Sequence, residues 1–151
     1  MIQLIRTNSE NNHFVELVKE LDADLAQRDG NEHAFYAQFN KINKINFTIV
    51  AYEDEIPIGC GAIKEYEPGT MEVKRMYVRS AYRGKGIAVK ILAALEEWAG
   101  EMGFTKCVLE TGKRQPEAIS LYSNNGYHII QNYGQYANVE NSVCFEKEIN
   151  H

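Results

Sequence analysis

Gly84 and Gly86 alternate with the basic residues Arg83 and Lys85 where a strand-like run gives way to a helical one. Residues of these types in this order can seat a phosphate group. The first turn of a helix has backbone N–H groups with no intrahelical partner, and the helix dipole favours negative charge beside them. Glycine carries no Cβ, so a ligand can approach the main chain closely there. The competing reading of the two glycines is a tight helix start with no ligand at all.

Several ligand classes use a glycine-rich turn between strand and helix, and most of them fail on this sequence. A P-loop needs GxxxxGK followed by Ser or Thr, but Lys85 is followed by Gly86 and Lys113 by Arg114, so neither site offers a magnesium-binding hydroxyl. A dinucleotide fingerprint needs GxGxxG. Val89 stands where the third glycine would follow Gly84 and Gly86, and Lys64 stands there after Gly59 and Gly61. No HExxH or Cys/His cluster points to a metal, since the four histidines lie apart at 13, 33, 128 and 151. The GxSxG elbow of many hydrolases is also missing.

Charge narrows the ligand further. The chain has 151 residues and a net charge of −5, which argues against nonspecific nucleic-acid binding. Residues 72–90 run the other way, with Lys74, Arg75, Arg79, Arg83, Lys85 and Lys90 against Glu72 alone. A compact basic segment in an otherwise acidic chain suits a small polyanion better than a long one. The alternative is that several of these side chains are simply solvated surface charges.

Elements that would position this segment can be read from periodicity. Residues 2–6 alternate as a strand and do not resemble a signal peptide. Phe14, Leu17, Val18, Leu21 and Leu25 follow helical spacing from 11 to about 28, Asp29-Gly30-Asn31 is a stop, and a weaker helix is expected over 33–40. Strands are expected over 47–52 and 56–64, and over 71–78 after the turn at Pro68-Gly69, giving an antiparallel meander. Ile87, Ile91, Leu95, Trp98 and Met102 form the stripe of a long helix that Gly103 stops.

A strand over 106–110 then implies a parallel, right-handed crossover. Gln115 caps a further helix with Pro116 in its first turn, and Ala118, Leu121 and Tyr122 share one side of it until Asn124-Asn125-Gly126. Final strands are expected over 127–130 and 142–148, separated by a polar loop containing Tyr133 and Tyr136. Cys60, Cys107 and Cys144 sit singly within strand-like runs and read as buried free thiols in a reducing compartment, so the expected location is cytoplasmic. No apolar run approaches the roughly 18 residues of a membrane span.

Arg83-Gly84-Lys85-Gly86-Ile87-Ala88 resembles the R/Q-x-x-G-x-G/A motif of the GNAT N-acetyltransferase superfamily, and Arg75-Met76-Tyr77-Val78 resembles the fourth strand before it. Leu109-Glu110-Thr111-Gly112 and Ala118-Ile119-Ser120-Leu121-Tyr122 with Gly126-Tyr127 resemble its second motif. The likeness spans roughly 47–148, with 1–46 as the family's variable opening. It implies an α/β fold in one domain, 1–151. Its mixed, mostly antiparallel sheet of about 6–7 strands would be flanked by about 4 helices and splayed between the fourth and fifth strands.

The resemblance also implies acetyl-CoA as donor, no metal, and transfer to a primary amine of a small molecule or peptide by direct attack in a ternary complex. The pyrophosphate would rest on the N–H groups of about Gly84 to Ala88, including Lys85, Gly86 and Ile87, with Arg83 and Lys85 adding charge. Met76 and Val78, flanking Tyr77, would present main-chain groups to the thioester and pantetheine arm beside a bulged strand. Tyr122 corresponds to the family tyrosine that protonates or hydrogen-bonds the leaving sulfur; its other reading is a continuation of the apolar stripe. Gln115 stands where relatives often have an asparagine against pantetheine, with the same amide and a longer reach.

Glu72 corresponds to a glutamate base in some members, with Glu110 or a relayed water as rivals and a strand-end charge facing Lys74 or Arg75 as the bland reading. The acceptor side would be walled by the N-terminal helices and the 131–141 loop. A non-catalytic acyl-CoA-binding or regulatory module is the alternative function. Neither nucleic acid nor membrane is an expected partner, and a homodimer is left open.

Overall fold

The computed structural model describes residues 1–29 and 44–149. Seven strands form one open sheet: β1 (Ile2–Thr7), β2 (Phe47–Glu53), β3 (Ile56–Glu67), β4 (Thr70–Val78), β5 (Lys106–Gly112), β6 (His128–Ile130) and β7 (Ser142–Glu148), in the spatial order 1-2-3-4-5-7-6. Short connections make β2, β3 and β4 an antiparallel run, as the meander reading expects, and β1, which precedes α1 in the chain, adds to its edge antiparallel to β2. The helix between β4 and β5 forces a crossover, and that pair is parallel. β7 lies between β5 and β6 and is antiparallel to both.

Three α-helices flank the sheet among the described residues: α1 (Asn12–Asp29), α2 (Ile87–Glu101) and α3 (Pro116–Ser123). The helix expected over 33–40 lies outside the described residues. Asn11 caps α1, its Oδ1 accepting from the backbone N–H groups of His13 at 2.9 Å and Phe14 at 3.1 Å. α1 buries Phe14, Leu17 and Val18 against Val50, Cys60 and Ala62. α2 buries Ile87, Ile91, Leu92 and Leu95 with Ile49, Ala51 and Ile58. Val50 points to α1 while its neighbours Ile49 and Ala51 point to the α2 cluster, because successive strand side chains alternate between faces.

The sheet opens between β4 and β5. Pairing holds only from Thr70, Met71 and Glu72 to Lys106, Cys107 and Val108, and the strands then part. On its other side β4 carries a bulge, because Cys60 pairs with Tyr77 but Ala62 pairs with Lys74, so β4 has one residue too many. Arg75 takes up that excess with φ +60, a left-handed conformation that arginine rarely adopts. The bulge expected from the resemblance is therefore centred on Arg75. Cys60, Cys107 and Cys144 are all buried and free. Among the described residues no helix is long and apolar enough to cross a membrane.

Candidate active site

The split between β4 and β5 leads into two cavities, of about 320 Å³ and about 110 Å³, on either side of a shared wall. Leu21, Met76, Gln115, Ala118 and Tyr122 line both. The larger continues to Val78, Gly84, Gly86 and Ala88, and the smaller to Glu72, Lys74, Arg75, Glu110 and Tyr136. Three elements converge here: α1 supplies Leu21, β4 supplies Met76, and α3 brings Ala118 and Tyr122 with Gln115 at its N-cap.

The larger cavity ends at the start of α2. Gly84 and Gly86 have φ values of +79 and +78, and Gly86 is the helix N-cap. Both are exposed, and a Cβ built on either would meet nothing within 4 Å. The backbone thus turns where glycine is favoured and leaves open space above it. The helical bonding starts with Lys90 N–H donating to Gly86 O at 3.2 Å, which leaves the preceding N–H groups facing outward. This cradle fits an anionic group of phosphate size.

The basic segment is only partly available to such a ligand. Arg79 Nη2 donates to Glu20 Oε2 at 2.7 Å, and Arg75 Nη1 donates to Asp22 Oδ1 at 2.9 Å, so both guanidinium groups tie β4 to α1. Lys74 lies 3.5 Å from Glu72. Arg83 and Lys85 remain exposed beside the glycines. Arg83 Nε donates to Val78 O at 2.7 Å, its guanidinium 5.6 Å above the Tyr77 ring, and Lys85 lies over Tyr82. The expected free polar backbone at Val78 is accordingly shared with Arg83. Arg79 holds α1 in place, a role its charge alone does not reveal.

Met76 turns its side chain toward α2, where it fits because Gly61 opposite has no Cβ; an added Cβ would lie 2.6 Å from the Met76 sulfur. Neither neighbour in the sheet pairs with Met76: it falls within the bulge opposite β3, and β5 has already diverged. Tyr122 is 6% exposed and packs edge-on to Tyr127 with ring centroids 5.7 Å apart. Burial raises its hydroxyl pKa, and the negative charge of Glu110 raises it further. The phenol therefore stays protonated at neutral pH. Tyr122 is at once part of the core and part of the cleft wall, so the two sequence readings are not exclusive.

In the smaller cavity, Glu72 is 8% exposed and is the last β4 residue paired with β5. Tyr133 Oη donates to its Oε2 at 2.6 Å. Tyr66 and Tyr136 pack against the Tyr133 ring, which holds the loop between β6 and β7 over the sheet. Glu110 Oε2 accepts from Ser142 Oγ at 2.6 Å. Burial raises the pKa of Tyr133, as does Glu72, and burial with Glu110 and Glu72 raises that of Tyr136. Among the described residues no group of three His, Cys, Asp or Glu is placed to hold a metal.

The structure brings Glu72, Met76, Gln115 and Tyr122 to one cleft and continues it to the glycine cradle. Sequence reasoning missed Leu21 and Arg75 as cleft residues. Leu21 carried only the signal of a helix stripe. Arg75 was one cation among six, and nothing local announces a bulge.

The sequence matches the Acetyltransferase (GNAT) family over residues 14–127, and the chain belongs to that family. It is 32% identical over 152 aligned residues to the IAA acetyltransferase of Azospirillum brasilense, covering 98% of both chains. Among solved structures, a Klebsiella pneumoniae protein assigned as an acyl-CoA N-acyltransferase superposes with a TM-score of 0.83 at 28% identity, covering 99% of each. The yncA acetyltransferase structure from Salmonella typhimurium, solved with acetyl-CoA, shares the fold with a TM-score of 0.71 at 14% identity, over 100% of this chain and 95% of that one.

Proposed function

We propose that this protein transfers an acetyl group from acetyl-CoA to a primary amine of a small molecule or peptide, by direct attack while both substrates are bound. The observation that carries this reading is the meeting of the two cavities at Tyr122, beside the unpaired stretch of β4. One cavity leads to an anion cradle and the other to two carboxylates, so donor and acceptor would approach one point from opposite sides. Family membership and the acetyl-CoA bound in the yncA structure support the choice of donor. We read residues 1–151 as one domain with a cytoplasmic setting.

The glycine cradle with Arg83 and Lys85 would hold the pyrophosphate, and Tyr77, Ile87 and Ala88 would border it. Gln115, which lines both cavities, would contact the pantetheine arm. Unpaired β4 amides near Met76 would donate to the oxygen that gains charge during attack. The amine must lose a proton to attack, and Glu72, at the apex of the split, is our choice to accept it, directly or through water. Its competitor is Glu110.

Tyr122 would donate a hydrogen bond to the departing sulfur. Its raised pKa makes full proton transfer to a thiolate, whose conjugate thiol has a pKa of roughly 8.5, unfavourable, so the phenol stabilises the sulfur chiefly as a donor. The test is release of CoA thiol from acetyl-CoA across a panel of amines. Acetylated amine and free thiol in equal amounts are expected. Tight acetyl-CoA binding without thiol release from any amine would instead favour a non-catalytic acyl-CoA-binding module.

A further inference from the structure

Acetyl transfer by itself leaves the setting of Arg75 unexplained. The residue sits in a left-handed conformation at φ +60 and is 6% exposed, yet it lines the acceptor cavity. Its Nη1 donates to Asp22 Oδ1 at 2.9 Å, while Nη2 is buried with no partner among the described residues. Guanidinium groups present five donors, and a buried donor left unpaired is costly enough to need a reason. A merely structural tie between β4 and α1 accounts for Nη1 and does not account for Nη2.

We propose that Arg75 binds the carboxylate of the acceptor, so that the substrate is a small molecule carrying both a primary amine and a carboxylate. The inference rests on the acetyl-transfer reading and names the substrate class for that same site. The cavity sets two cations, Lys74 and Arg75, beside two carboxylates, Glu72 and Glu110. Lys74 and Glu72 partly satisfy each other at 3.5 Å.

Such a lining complements a zwitterion, with the ammonium end toward Glu72 and Glu110 at the split and the carboxylate toward the bulge. Asp22 fixes the guanidinium by one nitrogen and leaves the other for the ligand, a division that suits the fork of arginine. Nη2 is closed to water, so the carboxylate reaches it through a turn of the Arg75 side chain, and a charge-assisted bond in that shielded place is stronger than one at the surface.

The test compares matched pairs with and without the carboxylate: methionine against 3-(methylthio)propylamine, phenylalanine against phenethylamine, and lysine against cadaverine. CoA thiol release is followed in wild-type protein with saturating acetyl-CoA. The carboxylate member is expected to have the higher kcat/KM, by roughly tenfold or more in the best pair. Arg75→Met should abolish that preference mainly by raising KM, and Arg75→Lys should restore part of it. Unchanged acetyl-CoA affinity shows that a variant is folded, and the wild-type comparison stands even where a variant does not fold.

A purely structural Arg75 would move the melting temperature and leave the preference between acid and amine intact. Equal or better turnover of the decarboxylated amines overturns this inference and leaves acetyl transfer standing. No thiol release from either series, with acetyl-CoA bound, overturns both.

Discussion

The hydroxyl of Tyr133 donates to Glu72 at 2.6 Å, so a residue in the loop before β7 holds the carboxylate at the apex of the split sheet. The same loop brings Tyr136 to the wall of the smaller cavity, its ring edge-on to that of Tyr133. If Glu72 is the proposed base, one carboxylate both accepts the proton and anchors the loop that supplies Tyr136 to the cavity wall.

Glu72→Gln is therefore expected to flatten the acidic limb of the pH–rate profile while preserving acetyl-CoA affinity. The neutral amide can still accept from Tyr133, so the loop stays in place. Measuring kcat/KM for the amine against pH checks this. An acidic limb that survives in Glu72→Gln and disappears in Glu110→Gln would transfer the role to Glu110.

Tyr122→Phe should lower kcat by roughly 10²-fold and leave the KM for acetyl-CoA nearly unchanged. The folded-state pKa of this hydroxyl is raised, so its donor is present throughout the neutral range and is lost only as pH climbs above the ordinary tyrosine value. Wild-type and variant profiles should therefore have the same shape below about pH 10. A rate unaffected by the substitution would leave Tyr122 as core alone.

Gly86→Glu should weaken acetyl-CoA binding by about tenfold or more, placing a carboxylate where the cradle faces an anion. A side chain here also strains a backbone at φ +78, so Gly86→Ala is the necessary control. Calorimetric titration of both variants separates the two effects. Equal loss in Ala and Glu would mean that conformation matters and charge does not.

Gly61→Ala adds a Cβ 2.6 Å from the Met76 sulfur and 2.9 Å from Ile91 and Leu95 side-chain carbons. Overpacking of this kind costs about 1–3 kcal/mol. Thermal unfolding should show the loss, and the double variant Gly61→Ala with Met76→Ala should recover part of it. Recovery would locate the conflict at Met76, on the cleft wall.

Glu20 binds Arg79 on β4, and that hydrogen bond is the main reason its carboxyl pKa is lowered in the folded protein. A lowered folded value means that the pair stabilises the protein above the unfolded pKa, near about 4.3, and that this is lost as pH falls through the folded value. Glu20→Gln should reduce the melting temperature at about pH 7, and the difference from wild type should shrink at about pH 3. A constant difference would show that shape, not ionisation, matters at Glu20.

Local chemistry in the sequence determined the cradle and the elements around it. Glycine preference at positive φ and the unpaired amides of a helix start are short-range properties, so Gly84 and Gly86 announced their role, and the apolar stripe announced α2. Strand alternation and short connections likewise announced the antiparallel run from β2 to β4. Only the tertiary structure decided which cations would remain for a ligand, because Arg75 and Arg79 find their partners on α1, 53 and 59 residues away. It also decided that Tyr122 faces the cleft and the core together, and that Arg75 occupies the bulge. Such features depend on register and on long-range pairing, which side-chain order along the chain does not encode by itself.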